Sequence, residues 1–154
     1  MRDLSAIDMS DYLPHRPPFL MVEKVFDLDK ESVVTALKIE SDNVFVLDNV
    51  FNEFGLVEFA AQTCSAIVGS TFFDEDDHKG SSNKLIGFIS SIKKLEVYDL
   101  APVGSTVIAR ARLLSNFDGD KFKISTMSCN VFVGDKELLS CELILYIQEK
   151  KNLE

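Results

Sequence analysis

Residues that bind metals or cross-link chains are scarce here. Among 154 residues there are two histidines, His15 and His78, and three cysteines, Cys64, Cys129 and Cys141. No pair of cysteines has CxxC spacing and no His/Cys/Asp cluster stands at ligand spacing, so no metal site is expected and no cofactor is implied. An odd number of unpatterned thiols argues for reduced, buried cysteines and against a disulfide frame. Positive charge is also in short supply: 16 Lys and Arg against 25 Asp and Glu leave a net charge of −9. Nonspecific attraction to nucleic acid or to an anionic membrane is therefore not expected. Met1, Arg2 and Asp3 do not open a basic start followed by an apolar run, which predicts no signal peptide and a cytoplasmic protein. There are no repeats, linkers or low-complexity tracts, and at 46% hydrophobic the chain reads as one domain, 1–154, able to bury a core.

What is present centres on Asn52 to Phe73, NEFGLVEFAAQTCSAIVGSTFF. Phe54, Leu56, Val57, Phe59, Ala60, Ala61, Ile67, Val68 and Phe72 cover every direction of a 3.6-residue wheel, which predicts a core helix wrapped by other structure. Against that background Gly55, Glu58, Gln62, Ser65 and Gly69 step by three or four and form one stripe of small and polar residues. Four polar side chains in the middle of the segment argue against a membrane span. Glu58 alone carries charge in the stripe, and a buried carboxyl is costly unless paired or protonated. Two readings of it compete, a functional acid and an inert, hydrogen-bonded structural group.

Before this helix, residues 3–13 suggest a short N-terminal helix, Pro14, Pro17 and Pro18 a rigid extended bend, and 20–28 and 33–39 the first two strands. The connection between strand two and the helix has no Gly or Pro, and Asp48, Asn49 or Asn52 are its candidate helix caps. After the helix, 74–83 reads as an exposed acidic loop. Strands then follow at 85–97, 106–114, 121–133 and 137–148, separated by turn signals at 101–104, 118–120 and 134–135; the last three predict a meander. One helix that is apolar all round plus five or six mostly antiparallel strands is satisfied by a curved sheet wrapping the helix, an α+β architecture. Such a sheet leaves an edge, so a dimer is expected.

The order of parts and three motifs resemble the hotdog-fold (3R)-hydroxyacyl-acyl-carrier-protein dehydratases of the FabZ type. LPHRPPFLMVEKV at 13–25 is similar to that family's N-terminal signature, GLVEFAAQ at 55–62 to the start of its central helix, and IGFISSIKKLEVYDLAPVGSTV at 86–107 to its Gly-containing strand with following basic residues and Pro-x-Gly turn. The resemblance implies a hotdog fold and catalytic roles for Glu58 and Gln62. One departure stands out. The family carries a histidine in a GHFPG loop before the helix, whereas residues 40–54 here hold no His and no Pro, and the connection is shorter. His15 lies in a motif whose histidine is not the catalytic one in that family, and it reads as fixing the N-terminal bend. Dehydratase-like hotdog proteins from aryl-polyene-type pigment clusters also resemble this chain, in lacking the histidine loop.

Eliminating water from a 3-hydroxyacyl thioester needs a base for the proton on C2, an acid for the departing hydroxyl and donors for the thioester oxygen. Glu58 in apolar surroundings suits the acid, backbone N–H groups at Phe54 to Leu56 are candidate donors, and Gly55 would admit the substrate. Phe59, Phe88 and Ile89 are candidates to line an acyl tunnel. Lys93, Lys94, Lys84 and Arg16 are candidates to dock an acidic acyl carrier protein. No separate base is evident: Glu58 could serve as base and then acid in turn, or a second hotdog subunit in a heterodimer could supply the base; a homodimer is the other arrangement. The expected function is thus a dehydratase-like protein acting on acyl thioesters in fatty acid or polyene biosynthesis. The alternatives are a non-catalytic acyl-binding subunit of a heterodimeric dehydratase and a hotdog thioesterase.

Overall fold

The computed structural model describes residues 7–72 and 85–149. The expected acidic loop at 74–83, with His78, and Lys84 lie outside the described residues. Helix α1 (Glu53–Phe72) matches the helix expected from the apolar segment. Its start is set by Asn52, whose side-chain oxygen accepts from the Gly55 N–H at 3.0 Å, a cap that contributes about 1 kcal/mol. Of the three candidate caps, Asn52 takes the role.

Nine strands accompany the helix: β1 (Lys24–Leu28), β2 (Ser32–Lys38), β3 (Val46–Leu47), β4 (Val50–Phe51), β5 (Leu85–Val97), β6 (Ala101–Pro102), β7 (Thr106–Asp118), β8 (Phe122–Val133) and β9 (Lys136–Glu149). Six form one antiparallel sheet in the order β1-β2-β7-β8-β9-β5. The expected meander is β7-β8-β9, and β5 returns to flank β9 at the far edge. This is the hotdog arrangement, one long helix packed on a large antiparallel sheet. Along β7, Val107, Ala109 and Ala111 are buried while Arg110 and Arg112 are exposed, the period-2 alternation of a sheet with one covered face. Leu56, Phe59, Ala60, Cys64 and Ile67 of α1 pack into that face with Met127, Cys129, Val131, Leu143 and Leu145. Each large apolar side chain buried there contributes about 1.5–3 kcal/mol. A buried hydroxyl pair, Thr35 on β2 and Thr63 on α1 at 2.7 Å, pins the helix to the sheet. Thr63 donates to the Phe59 carbonyl at 2.8 Å, so Thr35 is the donor between them. Among the described residues, no helix is long and apolar enough to cross a membrane.

Three expectations are corrected. In the described part of the expected N-terminal helix, 7–13, the helical element is a single 3-10 turn at Met9–Asp11, capped by Asp8; residues 3–6 lie outside the described residues. The first strand starts at Lys24 and not at Leu20, because the Met21 N–H is taken by the Gln62 side chain. The connection at 40–51 carries two short strands: β3 and β4 form a tight hairpin through Asp48 and Asn49, with φ of 53° and 62°. Asp and Asn tolerate that left-handed backbone, so the two-residue turn forms without Gly. β4 then pairs with β6, which places a short strand where only a turn was expected.

Candidate functional site

Gln62 organises the centre of the molecule. It is 1% exposed, and all its hydrogen-bonding atoms are directed at specific partners. Its Oε1 accepts from the Met21 N–H at 2.7 Å. Its Nε2 donates to the Phe19 carbonyl at 2.8 Å and to Glu58 Oε1 at 2.7 Å. The amide therefore does two jobs. It ties the proline-rich segment across the face of α1, and it holds one oxygen of Glu58 one turn earlier on the same helix, the i, i+4 geometry.

The tied segment brings His15 over the helix. His15 Nε2 lies 3.4 Å from Glu58 Oε1, with the two side chains 31% and 30% exposed. Arg16 braces the bend by donating to the Leu13 and His15 carbonyls at 2.9 and 2.8 Å. His15 Nδ1 is buried and has no hydrogen-bond partner among the described residues. Burial pushes the His15 pKa below its usual value; the Glu58 carboxylate raises it and Arg16 lowers it, but burial dominates. Glu58 Oε2 takes no hydrogen bond among the described residues, which leaves it open to a ligand.

Both side chains face a cavity of about 230 Å³. Its helix wall is Glu58, Ala61, Gln62 and Ser65, and its sheet wall is Gly87, Phe88 and Ile89 of β5 with Leu145 of β9. A narrower space of about 40 Å³ continues past Ser65 between Tyr12, Leu13, Val68, Gly69 and Ile147. The small-residue stripe seen in the sequence is what opens this passage. Gly69 is required by contact, since a Cβ there would stand 2.7 Å from the Tyr12 carbonyl oxygen.

Glu58, Gln62, Phe88 and Ile89 therefore meet at one site, and His15, which the sequence pattern assigned to holding the bend, joins them. Two substrate-binding candidates do not. Phe59 is fully buried in the core, because its position on α1 faces the sheet. Gly55 faces away from the cavity; a Cβ there would stand 2.5 Å from the Phe51 ring and 2.7 Å from Phe45, so glycine is needed for packing. Of the expected helix-start donors, the Gly55 N–H is taken by the Asn52 side chain and the Leu56 N–H by the Asn52 carbonyl. Glu58 is less enclosed than its apolar neighbours in sequence suggested. Lys93 and Lys94 both face Glu142, at 3.6 and 4.0 Å, and Arg16 faces its own bend. The three cysteines are buried. Burial and the neighbouring Cys64 push the Cys141 thiol up to about 12, and contact with Cys64 followed by burial raises Cys129 well above its usual value, so these are inert core groups.

A single helix on an antiparallel sheet, with a helix carboxylate and its i+4 glutamine at the wall of an elongated cavity, defines a hotdog protein of the dehydratase-like class. The chain belongs to the ApeP-like family, described as ApeP dehydratase, whose profile matches residues 7–153. It is 26% identical over 161 residues to the 3-hydroxyacyl-[acyl-carrier-protein] dehydratase FabZ of Ralstonia nicotianae, covering 97% of this chain and 90% of that protein. It is 29% identical over 139 residues to the uncharacterized protein YcsD of Bacillus subtilis, covering 89% and 96% of the two. Among solved structures it is similar to the dehydratase heterocomplex ApeI:P from Xenorhabdus doucetiae, with a TM-score of 0.73, 17% identity and coverage of 95% and 93%.

Proposed function

We propose that this protein dehydrates 3-hydroxyacyl groups presented as acyl-carrier thioesters, with Glu58 delivering the proton to the departing hydroxyl. The observation that carries this reading is Glu58 itself, held through one oxygen by Gln62 at the wall of the cavity. Family membership and the similarity to FabZ support it. The passage beyond Ser65 suits the acyl chain, being narrow and lined mainly by apolar groups.

The β5 edge supports pairing with a second hotdog subunit. β5 is the last strand of the sheet, and Phe88, Ile89, Ile92, Leu95 and Val97 are all exposed along it. An exposed apolar edge strand is normally covered, and a mate along β5 would also close the cavity beside Phe88. The similar solved structure is the dehydratase heterocomplex ApeI:P, which favours a second, different subunit as that mate. Lys93 is four residues beyond Ile89, about 14 Å along an extended strand, a reach that suits an acidic carrier protein bound at the rim. The setting is cytoplasmic acyl-chain synthesis, of fatty acids or polyenes.

The test is turnover of a 3-hydroxyacyl-carrier thioester by the protein, alone and with a second hotdog subunit, beside Glu58→Gln. Enoyl product reduced about 10²- to 10⁴-fold in the variant is expected for loss of one general acid. Release of free acid would replace this reading with a thioesterase. Binding without product in either setting would make the chain an acyl-binding subunit.

A further inference from the structure

This elimination moves two protons, one from C2 and one to the departing hydroxyl, and a second titratable group beside Glu58 divides the two transfers between them. The place where related dehydratases carry a histidine is occupied here by the β3–β4 hairpin, and residues 40–54 contain no histidine. Two titratable side chains line the main cavity, Glu58 and His15. They approach from different elements to 3.4 Å, within reach of a shared proton once a substrate or small rotation closes the gap, as catalytic contacts are often long before substrate binds.

We propose that His15 is the second catalytic group, so that this single chain supplies both members of the proton-transfer pair from its own bend and helix. The inference rests on the dehydratase reading above. His15 Nε2 removes the C2 proton, and the electrons of that C–H bond form the C2=C3 double bond. The C3–O bond breaks, and the hydroxyl takes the Glu58 proton and leaves as water. The pair then holds the same single proton, on the imidazole, and its return across to the Glu58 carboxyl resets the site. No oxidant or further reactant is involved.

Three features of His15 fit this role. The bend that carries it is held by the Gln62 ties to Phe19 and Met21 and by the Arg16 brace. Burial favours its neutral, proton-accepting form near pH 7; Glu58 on α1 and Arg16 on the bend are the charged groups acting on it. Nε2 is the ring nitrogen that faces Glu58, so the neutral ring that carries its proton on Nδ1 presents Nε2 as the accepting atom. A second hotdog subunit is then needed to seal the cavity, not to lend a histidine.

The experiment compares wild type, His15→Gln and Glu58→Gln by two readouts. With only two histidines in the chain, ring NMR titration resolves each, and the signal lost in His15→Gln assigns His15. Its midpoint should fall in Glu58→Gln, because the carboxylate that raises it is gone; an unchanged midpoint overturns the pairing. Enoyl formation by the wild type should show a bell-shaped pH dependence, the signature of a pair active with one proton. His15→Gln should lower the rate by about 100-fold or more and lose one limb of the bell, while its thermal midpoint near pH 7 shows that it is folded. An active, folded His15→Gln with the wild-type pH profile overturns the assignment and leaves the dehydratase reading intact. A wild type that makes no enoyl with either subunit arrangement sinks that reading, and the catalytic role of His15 with it.

Discussion

Replacing Gln62 by leucine removes three hydrogen bonds from one buried point, and the cost can be worked out partner by partner. The Met21 N–H is in a fully buried residue and loses its acceptor. An orphaned buried donor costs about 1–3 kcal/mol. The Phe19 carbonyl and Glu58 lie in residues that solvent reaches, so water replaces the amide there and each bond costs about 1 kcal/mol or less. Leucine recovers part of this through apolar contact. The net loss is about 2–3 kcal/mol, which in a domain of this size lowers the thermal midpoint by about 4–12 °C. Urea unfolding with unchanged slope checks the free energy directly. The second consequence is geometric: without the amide, Glu58 turns freely and the 19–21 segment loses its tie to α1. Activity of Gln62→Leu should therefore fall even at temperatures where the variant is fully folded. A midpoint within about 1 °C of wild type would show that the Met21 N–H has another acceptor, and would refute the idea that Gln62 anchors the bend; the threshold corresponds to about 0.3–0.5 kcal/mol.

Further outcomes follow from the same contacts. Gly69→Ala puts a methyl 2.7 Å from the Tyr12 backbone oxygen, so the 12–15 segment must shift; we expect destabilisation by about 1–3 kcal/mol, as for overpacking, and a changed His15 NMR environment, whereas a neutral variant with wild-type His15 signals would contradict the close approach. The pH dependence of stability has a definite sign. His15 has a lowered pKa in the folded protein, so as pH falls below about 6.5 the unfolded chain takes up this proton first and stability drops until the lowered folded value is passed. Thermal midpoints between pH 7.5 and 5 should fall more steeply for wild type than for His15→Gln; parallel slopes would mean the imidazole is not held neutral.

The helix and its chemistry were legible in the sequence because both depend on local spacing. A 3.6-residue period showed that the segment is buried all round, and the same period put Glu58 and Gln62 on one face. In the sequence Arg110 and Arg112 alternate with Ala109 and Ala111, a period-2 pattern that matches the wet and covered faces of β7. Hairpin chemistry was half legible: Asp48 and Asn49 tolerate positive φ, but without glycine nothing marked them as a turn in preference to helix caps. The roles of Gly55 and Phe59 were not legible, since each depends on what lies across from it, Phe51 and Phe45 in one case and the sheet in the other.

What the sequence by itself determined is a hotdog chain with a carboxylate and an amide one turn apart on its core helix. What only the tertiary structure decided is their company. Gln62 reaches a carbonyl 43 positions away at Phe19, and that contact delivers His15 to Glu58. No periodicity encodes such a meeting. It follows from the path the chain takes around a shared core, where one buried amide satisfies two backbone groups and positions the bend over the helix face.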